Sequence, residues 1–145
     1  MAAAKTVFAR TRLVGTAAAA GGTFTADYAC PTDRAIHVRA RVYLTAQTGA
    51  PAHLTHTSVF RAEYTIRNNN GAMVTPTTLG GSTNPLNSGT AGNASSHAEV
   101  DEFGGGSPSS ANFTTSGTNA RLTVTNNHAT QAADVVVIFE VDVVG

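Results

Sequence analysis

Residues 35–45 read AIHVRARVYLT, in which Ile36, Val38, Ala40, Val42 and Leu44 alternate with His37, Arg39, Arg41, Tyr43 and Thr45. Successive side chains of an extended chain point to opposite faces. This period of two therefore predicts one long strand, apolar on one side and basic and wettable on the other. Its return partner is residues 57–67, TSVFRAEYTIR, where Phe60, Ala62, Tyr64 and Ile66 alternate with Val59, Arg61, Glu63, Thr65 and Arg67. That stretch runs into Asn68-Asn69-Asn70-Gly71 and then Ala72-Met73-Val74. Asn-Gly marks a type I′ hairpin turn, because both central residues need positive φ.

Working outward, residues 6–14 alternate loosely and read as a first strand, and residues 15–22 as a small-residue turn or bulge. The alanines at 17–20 stand between glycines and are too few to nucleate a helix. Residues 23–29 (Phe24, Ala26 and Tyr28 against Thr25 and Asp27) form a second strand, stopped by Cys30-Pro31-Thr32-Asp33. After the central strand, residues 47–56 are a loop holding Gly49 and Pro51. Residues 73–79 complete the hairpin, with Pro76 placing them at an edge. Further strands are expected at 111–115, at 119–125 (Ala120, Leu122 and Val124 inward) and at 133–144. The last carries Val135, Val137, Phe139, Val141 and Val143 on one face and Val136, Ile138, Glu140, Asp142 and Val144 on the other. Apolar on both sides as far as Glu140, it is expected in the middle of its sheet. No segment shows helical periodicity. The expectation is all-β: one domain over 1–145, an antiparallel β-sandwich or jelly roll of about eight strands with no significant helix.

Residues 80–110 differ from the rest, being Gly, Ser, Thr, Asn and Pro broken by His97-Ala98-Glu99-Val100-Asp101-Glu102-Phe103. They read as one long Gly/Ser/Asn-rich loop, either mobile at the surface or an arm laid across a neighbouring subunit. In the second reading Val100 and Phe103 are its apolar anchors. Residues 1–5 read as a further arm.

A chain of 145 residues is long enough to bury a core. Charged residues make up only 12% and the formal net charge is zero. That argues against a nucleic-acid partner, which asks for a basic excess, and weak self-repulsion favours association. Cys30 is alone, so no intrachain disulfide forms, and it reads as a small buried hydrophobe. Lys5, Arg10 and Arg12 interrupt every candidate signal-peptide core, and no stretch approaches a membrane span. The expectation is synthesis in a cytoplasm, with no membrane partner.

The chemistry-bearing residues are sparse. There is no nucleophile elbow, phosphate loop or dinucleotide fingerprint, so neither an enzyme nor a cofactor is expected. His53 and His56 have a spacing that suits a metal but no Cys or carboxylate beside them, and remain weak candidates. Asp101 and Glu102 read as a solvated turn rather than a calcium site. The absence of Trp disfavours a sugar-binding platform. Arg39, Arg41, Arg61 and Arg121 are expected to pair across strands with Glu63, Glu140 and Asp142, each exposed pair contributing about 0.2–1 kcal/mol. Arg39, Arg41 and Arg61 join Val100 and Phe103 as interface candidates.

Residues 34–44 (RAIHVRARVYL), 58–74 (SVFRAEYTIRNNNGAMV) and 116–144 (SGTNARLTVTNNHATQAADVVVIFEVDVV) together resemble a small β domain of tailed-bacteriophage virion proteins. The resemblance lies in an arginine-bearing alternating strand and in Arg61-Ala62-Glu63-Tyr64-Thr65-Ile66 with its Asn-Gly turn. It continues in Ser116-Gly117-Thr118-Asn119-Ala120-Arg121-Leu122-Thr123-Val124-Thr125, a short turn and a closing strand. Residues 1–30 and 80–110 lie outside it. It implies a structural virion protein, made in the bacterial host cytoplasm, that forms a homo-oligomer, expected as a trimer. Its implied partners are the major capsid protein or other virion proteins. The first expectation is a capsid decoration (cement) protein that bridges capsid subunits, in keeping with a short chain that starts at Met1 and has no shaft repeat. The alternative is a tail-fibre or receptor-binding β domain, and the third is a carbohydrate-binding module.

Overall fold

The computed structural model describes residues 6–47, 56–74, 94–104 and 107–145. Those residues form nine strands and no helix: β1 (Thr6–Ala17), β2 (Gly22–Ala29), β3 (Arg34–Ala46), β4 (Thr57–Asn69), β5 (Ala72–Val74), β6 (Ala94–Asp101), β7 (Ser110–Ser116), β8 (Asn119–Asn126) and β9 (Ala133–Val144). They build two antiparallel sheets. The large one has six strands in the order β1-β9-β3-β4-β5, with β6 also pairing β4, and the small one has the order β2-β8-β7. The fold is a β-sandwich.

The register explains why the alternation reads so cleanly. Across β3 and β4, Ile36 lies opposite Ile66, Val38 opposite Tyr64, Ala40 opposite Ala62 and Val42 opposite Phe60. Down this face apolar residues thus lie opposite apolar ones, except that Leu44 lies opposite the buried Ser58. β9 lies between β1 and β3, and Val135, Val137, Phe139 and Val141 complete the inner face. The Asn70-Gly71 turn has φ of 49° and 88°, as a type I′ hairpin requires. A second positive pair, Ala20 and Gly21 at 58° and 91°, carries the chain from the large sheet to the small one.

Between the sheets lies a band of rings. Tyr28 meets Phe139 edge-on at 6.3 Å, Phe113 lies 6.0 Å from Phe139, and Tyr64 stacks on Phe113 at 5.5 Å. The Tyr64 hydroxyl bonds Thr115 Oγ1 at 2.6 Å, so the polar end of this ring has a partner across the sandwich. Two buried amides serve the turns: Asn68 donates to Cys30 O, and Asn126 donates to Ala17 O and Gln131 O. Each gives a turn carbonyl the partner that water supplies elsewhere. Cys30 is buried as expected, and burial pushes its thiol pKa up.

The strands depart from the sequence reading in two places. β1 does not stop at Val14 but runs to Ala17, since the ring of Phe24 packs where a Cβ on Gly15 would stand, so the glycine serves packing inside the strand. Residues 80–110 are not one loop, because 94–101 form β6 on the flank of β4. β5 takes the edge position assigned to it, over Ala72–Val74. The arm at residues 1–5, the extension of β5 over 75–79, and residues 80–93 lie outside the described residues.

The outward face of the small sheet is polar apart from Ala29. Thr23, Thr25 and Asp27 of β2 line up with Thr125, Thr123 and Arg121 of β8, and Ser110, Asn112 and Thr114 of β7 continue the rows. Arg121 grips Asp27 with both nitrogens at 2.8 Å, where Glu63, Glu140 or Asp142 was the expected class of partner. Those three carboxylates belong to the other sheet, out of its reach.

Two measurements test this packing. Phe139→Ala should destabilise the protein by about 3–5 kcal/mol in urea unfolding, since the ring lies between both sheets and the cavity cannot collapse. The hydrogen bond from Arg121, with its charge, holds the Asp27 carboxyl below the usual carboxylate range. The folded-state value is depressed, so the pair's contribution is complete above the unfolded carboxylate range and is lost as pH falls through the folded value. Carboxyl NMR titration of Arg121→Ala should find Asp27 moved up towards an ordinary carboxylate.

Candidate functional site: the open face of the large sheet

Pairing sets the outward side chains of the large sheet into rows that cross it. One row runs Val14–Val136–Tyr43–Val59–Val100, through β1, β9, β3, β4 and β6. The next runs Arg12–Ile138–Arg41–Arg61–His97, and the one after it carries Arg10, Glu140, Arg39 and Glu63. A fourth runs Phe8–Asp142–His37–Thr65. An apolar band five strands wide is thus bordered by a band of guanidinium groups. Val14 and Val100, at its two ends, are 60% and 47% exposed, and no described element covers either. The small sheet's outward face has nothing comparable, so the two outer surfaces of the sandwich differ in kind.

Between these rows is a trough of about 270 Å³, walled by Arg10, Arg39, Arg41, Arg61, Glu63 and Glu140 and floored in part by Ala40 and Ala62. Ala40 and Ala62 contribute backbone only, since their side chains point into the core, and the trough is the gap between the long outward side chains on either side of them. Arg39 reaches Asp142 at 3.2 Å and Glu140 at 3.9 Å. His37 bonds Thr65 Oγ1 at 2.7 Å and lies 3.7 Å from Glu63. Arg41 and Arg61 share one carboxylate, Glu99, which lies 2.9 Å from Arg41 and bonds the Arg61 Nε as well. Glu99 sits at a bulge: Val59 lies opposite Val100 and Phe60 opposite Ala98, so Glu99 has no residue across from it. Bulges re-aim side chains, and this one points a carboxylate between two arginines. These groups are partly exposed, Glu99 the least at 22%, so the pairs set side-chain positions and register more than they stabilise.

Arg39, Arg41, Arg61 and Val100, singled out from the sequence, are brought together on this face. Phe103 is not. It is fully buried in the chain's own core, its N–H donating to Ser58 Oγ at 3.0 Å and its carbonyl accepting from Ser109 Oγ at 2.8 Å. Asp101 accepts from Ser58 Oγ and from Ser109 N, and Glu102 accepts from Thr57 N, so these acids tie Phe103 in place. The reading of Phe103 as an anchor for an arm on a neighbouring subunit is therefore replaced by an internal plug. An apolar ring beside residues that bond their own strand is held within its own sandwich.

His56 packs against that plug, its ring 5.9 Å from Phe103 and 4.8 Å from His128. His128 Nδ1 accepts the N–H groups of Thr130 and Gln131, which leaves only its other nitrogen for any ligand. His53, the other metal candidate, lies outside the described residues. Among the described residues no three His, Cys, Asp or Glu side chains come together as a metal site would require.

Sequence reasoning missed Val14, Val136, Tyr43 and Val59 as a continuous row, and it missed Glu99 as the partner of Arg41 and Arg61. The alternation of each strand places those residues outward, but only the register between strands aligns them. Compared with known proteins, the chain matches no family model, no curated protein and no solved structure.

Ser58→Ala separates the plug from the arm. It strands the buried Phe103 N–H and should cost about 1–3 kcal/mol in chemical denaturation. Val100→Thr, on the open face, should change stability by no more than about 0.5 kcal/mol. If both variants unfold with the parent, Phe103 is not held internally.

Proposed function

We propose that this chain is a non-enzymatic structural protein of a tailed-phage particle, a capsid decoration protein that stabilises the head by bridging capsid subunits. The observation that carries the reading is the open face of the large sheet: an apolar row flanked by arginines, on a sandwich whose other outer face is polar. Tyr and Arg are the residues that concentrate binding energy at protein interfaces, and both stand here. The sequence resemblance of 34–44, 58–74 and 116–144 supports the same reading. Those segments supply β3, β4, β5, β8 and β9, three of which (β3, β4 and β9) carry this face.

The mechanism is added contact. Each copy, as part of a homo-oligomer (a trimer in this proposal), lays its open face on the capsid surface. An interface of standard size buries about 1,600 Å² in all. A ligand that binds only the assembled shell stabilises it by mass action, and the gain repeats at every site. The partner is the major capsid protein, and the place of action is the virion.

Quantitative mass spectrometry of purified particles should find this chain at many copies per head, comparable with the capsid protein. Particles lacking it should lose infectivity at lower temperature and under milder osmotic shock. A few copies per particle, or deletion particles as robust as complete ones, would rule out the cement role.

A further inference from the structure

β1 pairs β9 without a break from Thr6↔Val144 to Ala17↔Ala133, and among the described residues no strand pairs its other side. An edge of that length is a template for a further strand, and proteins usually blunt it with Pro, bulges, shortness or charge. β1 has no Pro, and its register with β9 has no bulge. It also exposes Val7, Phe8 and Val14 by 55%, 57% and 60%. What remains is charge, from Arg10 and Arg12.

These two arginines differ from the others on the open face. Arg39, Arg41 and Arg61 each have a carboxylate partner, whereas Arg10 and Arg12 have no ion pair among the described residues. Glu140, opposite Arg10, is engaged by Arg39, and Arg12 lies opposite Ile138. Cross-strand neighbours on the same face are the natural partners of such side chains, and the free neighbour positions lie on the unoccupied side. A second copy of β1 does not supply them. Antiparallel self-pairing that keeps the faces matched and centres on residues 10–12 sets Arg10 or Arg12 against Arg10 or Arg12, and like charges directly opposite repel.

We infer that the free edge of β1 is a docking site for an extended acidic segment of another protein, which adds to the large sheet as its next strand. Two alternate residues of that segment are carboxylates opposite Arg10 and Arg12, and the residues two further on at each side are apolar, opposite Phe8 and Val14. Backbone hydrogen bonds supply the affinity and the alternate side chains supply the choice of partner. The inference stands on β1 and holds whether or not the partner is a capsid protein.

The test uses a fluorescein-labelled peptide, Val-Thr-Glu-Thr-Glu-Thr-Val, and its Lys-for-Glu counterpart, read by fluorescence anisotropy at low salt. Saturable binding of the Glu peptide is expected, with the Lys peptide weaker by about tenfold or more. The double variant Arg10→Glu/Arg12→Glu should reverse that preference while remaining folded, melting a few degrees below the parent because Arg10 lies opposite Glu140 and like charges there repel. Methylating alternate backbone amides of the Glu peptide should abolish binding for one of the two alternations and spare the other. No saturable binding, no preference between the peptides, or indifference to both methylation patterns overturns the inference. So does a dimer of the free protein, seen in sedimentation and abolished by the double variant, because the occupant is then a second copy.

Discussion

The contact on which the molecule depends is the meeting of Tyr28, Phe139, Phe113 and Tyr64 between the two sheets. Burial of apolar area is the main favourable term in folding, and aromatic rings supply much of it per residue. Here the rings come from β2, β9, β7 and β4, so one cluster ties the first half of the chain to the second. The Tyr64 hydroxyl adds direction by bonding Thr115 on the opposite sheet. A sandwich with a merely greasy interior could slide, whereas stacked and edge-on rings with a bonded tip hold one alignment.

That alignment is lopsided. Six strands face three, and three strands can cover only one side of six. The large sheet is left with a broad outward face, and β1 with a long edge, neither of which the rest of the described chain protects. On the small sheet the corresponding surface is Thr, Ser, Asn, a single Ala and one Asp–Arg pair, a coat that water satisfies well. On the large sheet it is an apolar row bordered by arginines, which water satisfies poorly along the row. The asymmetry in strand number and the asymmetry in surface chemistry coincide, and that coincidence makes the open face the place to look for a partner.

Charge on this face is arranged rather than abundant. One bulge on β6 lets Glu99 serve both Arg41 and Arg61, and Asp142 and Glu140 serve Arg39. Pairs this exposed add little to stability, but they hold long side chains upright around the trough and lower the cost of ordering them when a surface arrives. The plug formed by Phe103, Ser58, Asp101 and Ser109 does the opposite work at the sandwich end, spending its hydrogen bonds on the chain itself.

The amino-acid sequence by itself determined the fold class, the position of β3, β4, β8 and β9, the Asn70-Gly71 turn and the apolar face of β3, β4 and β8. All of these are local: a period of two and a demand for positive φ are written within a few residues. It also placed Arg39, Arg41 and Arg61 as outward residues, and took Val100 for the anchor of an arm. Only the tertiary structure decided that the first and last strands pair, that 94–101 form a strand within a stretch that reads as loop, and that Phe103 turns inward. It alone aligned Val14, Val136, Tyr43, Val59 and Val100 into one row. Those facts depend on register between strands far apart in the chain, and alternation states which face a residue takes but not which residue lies beside it.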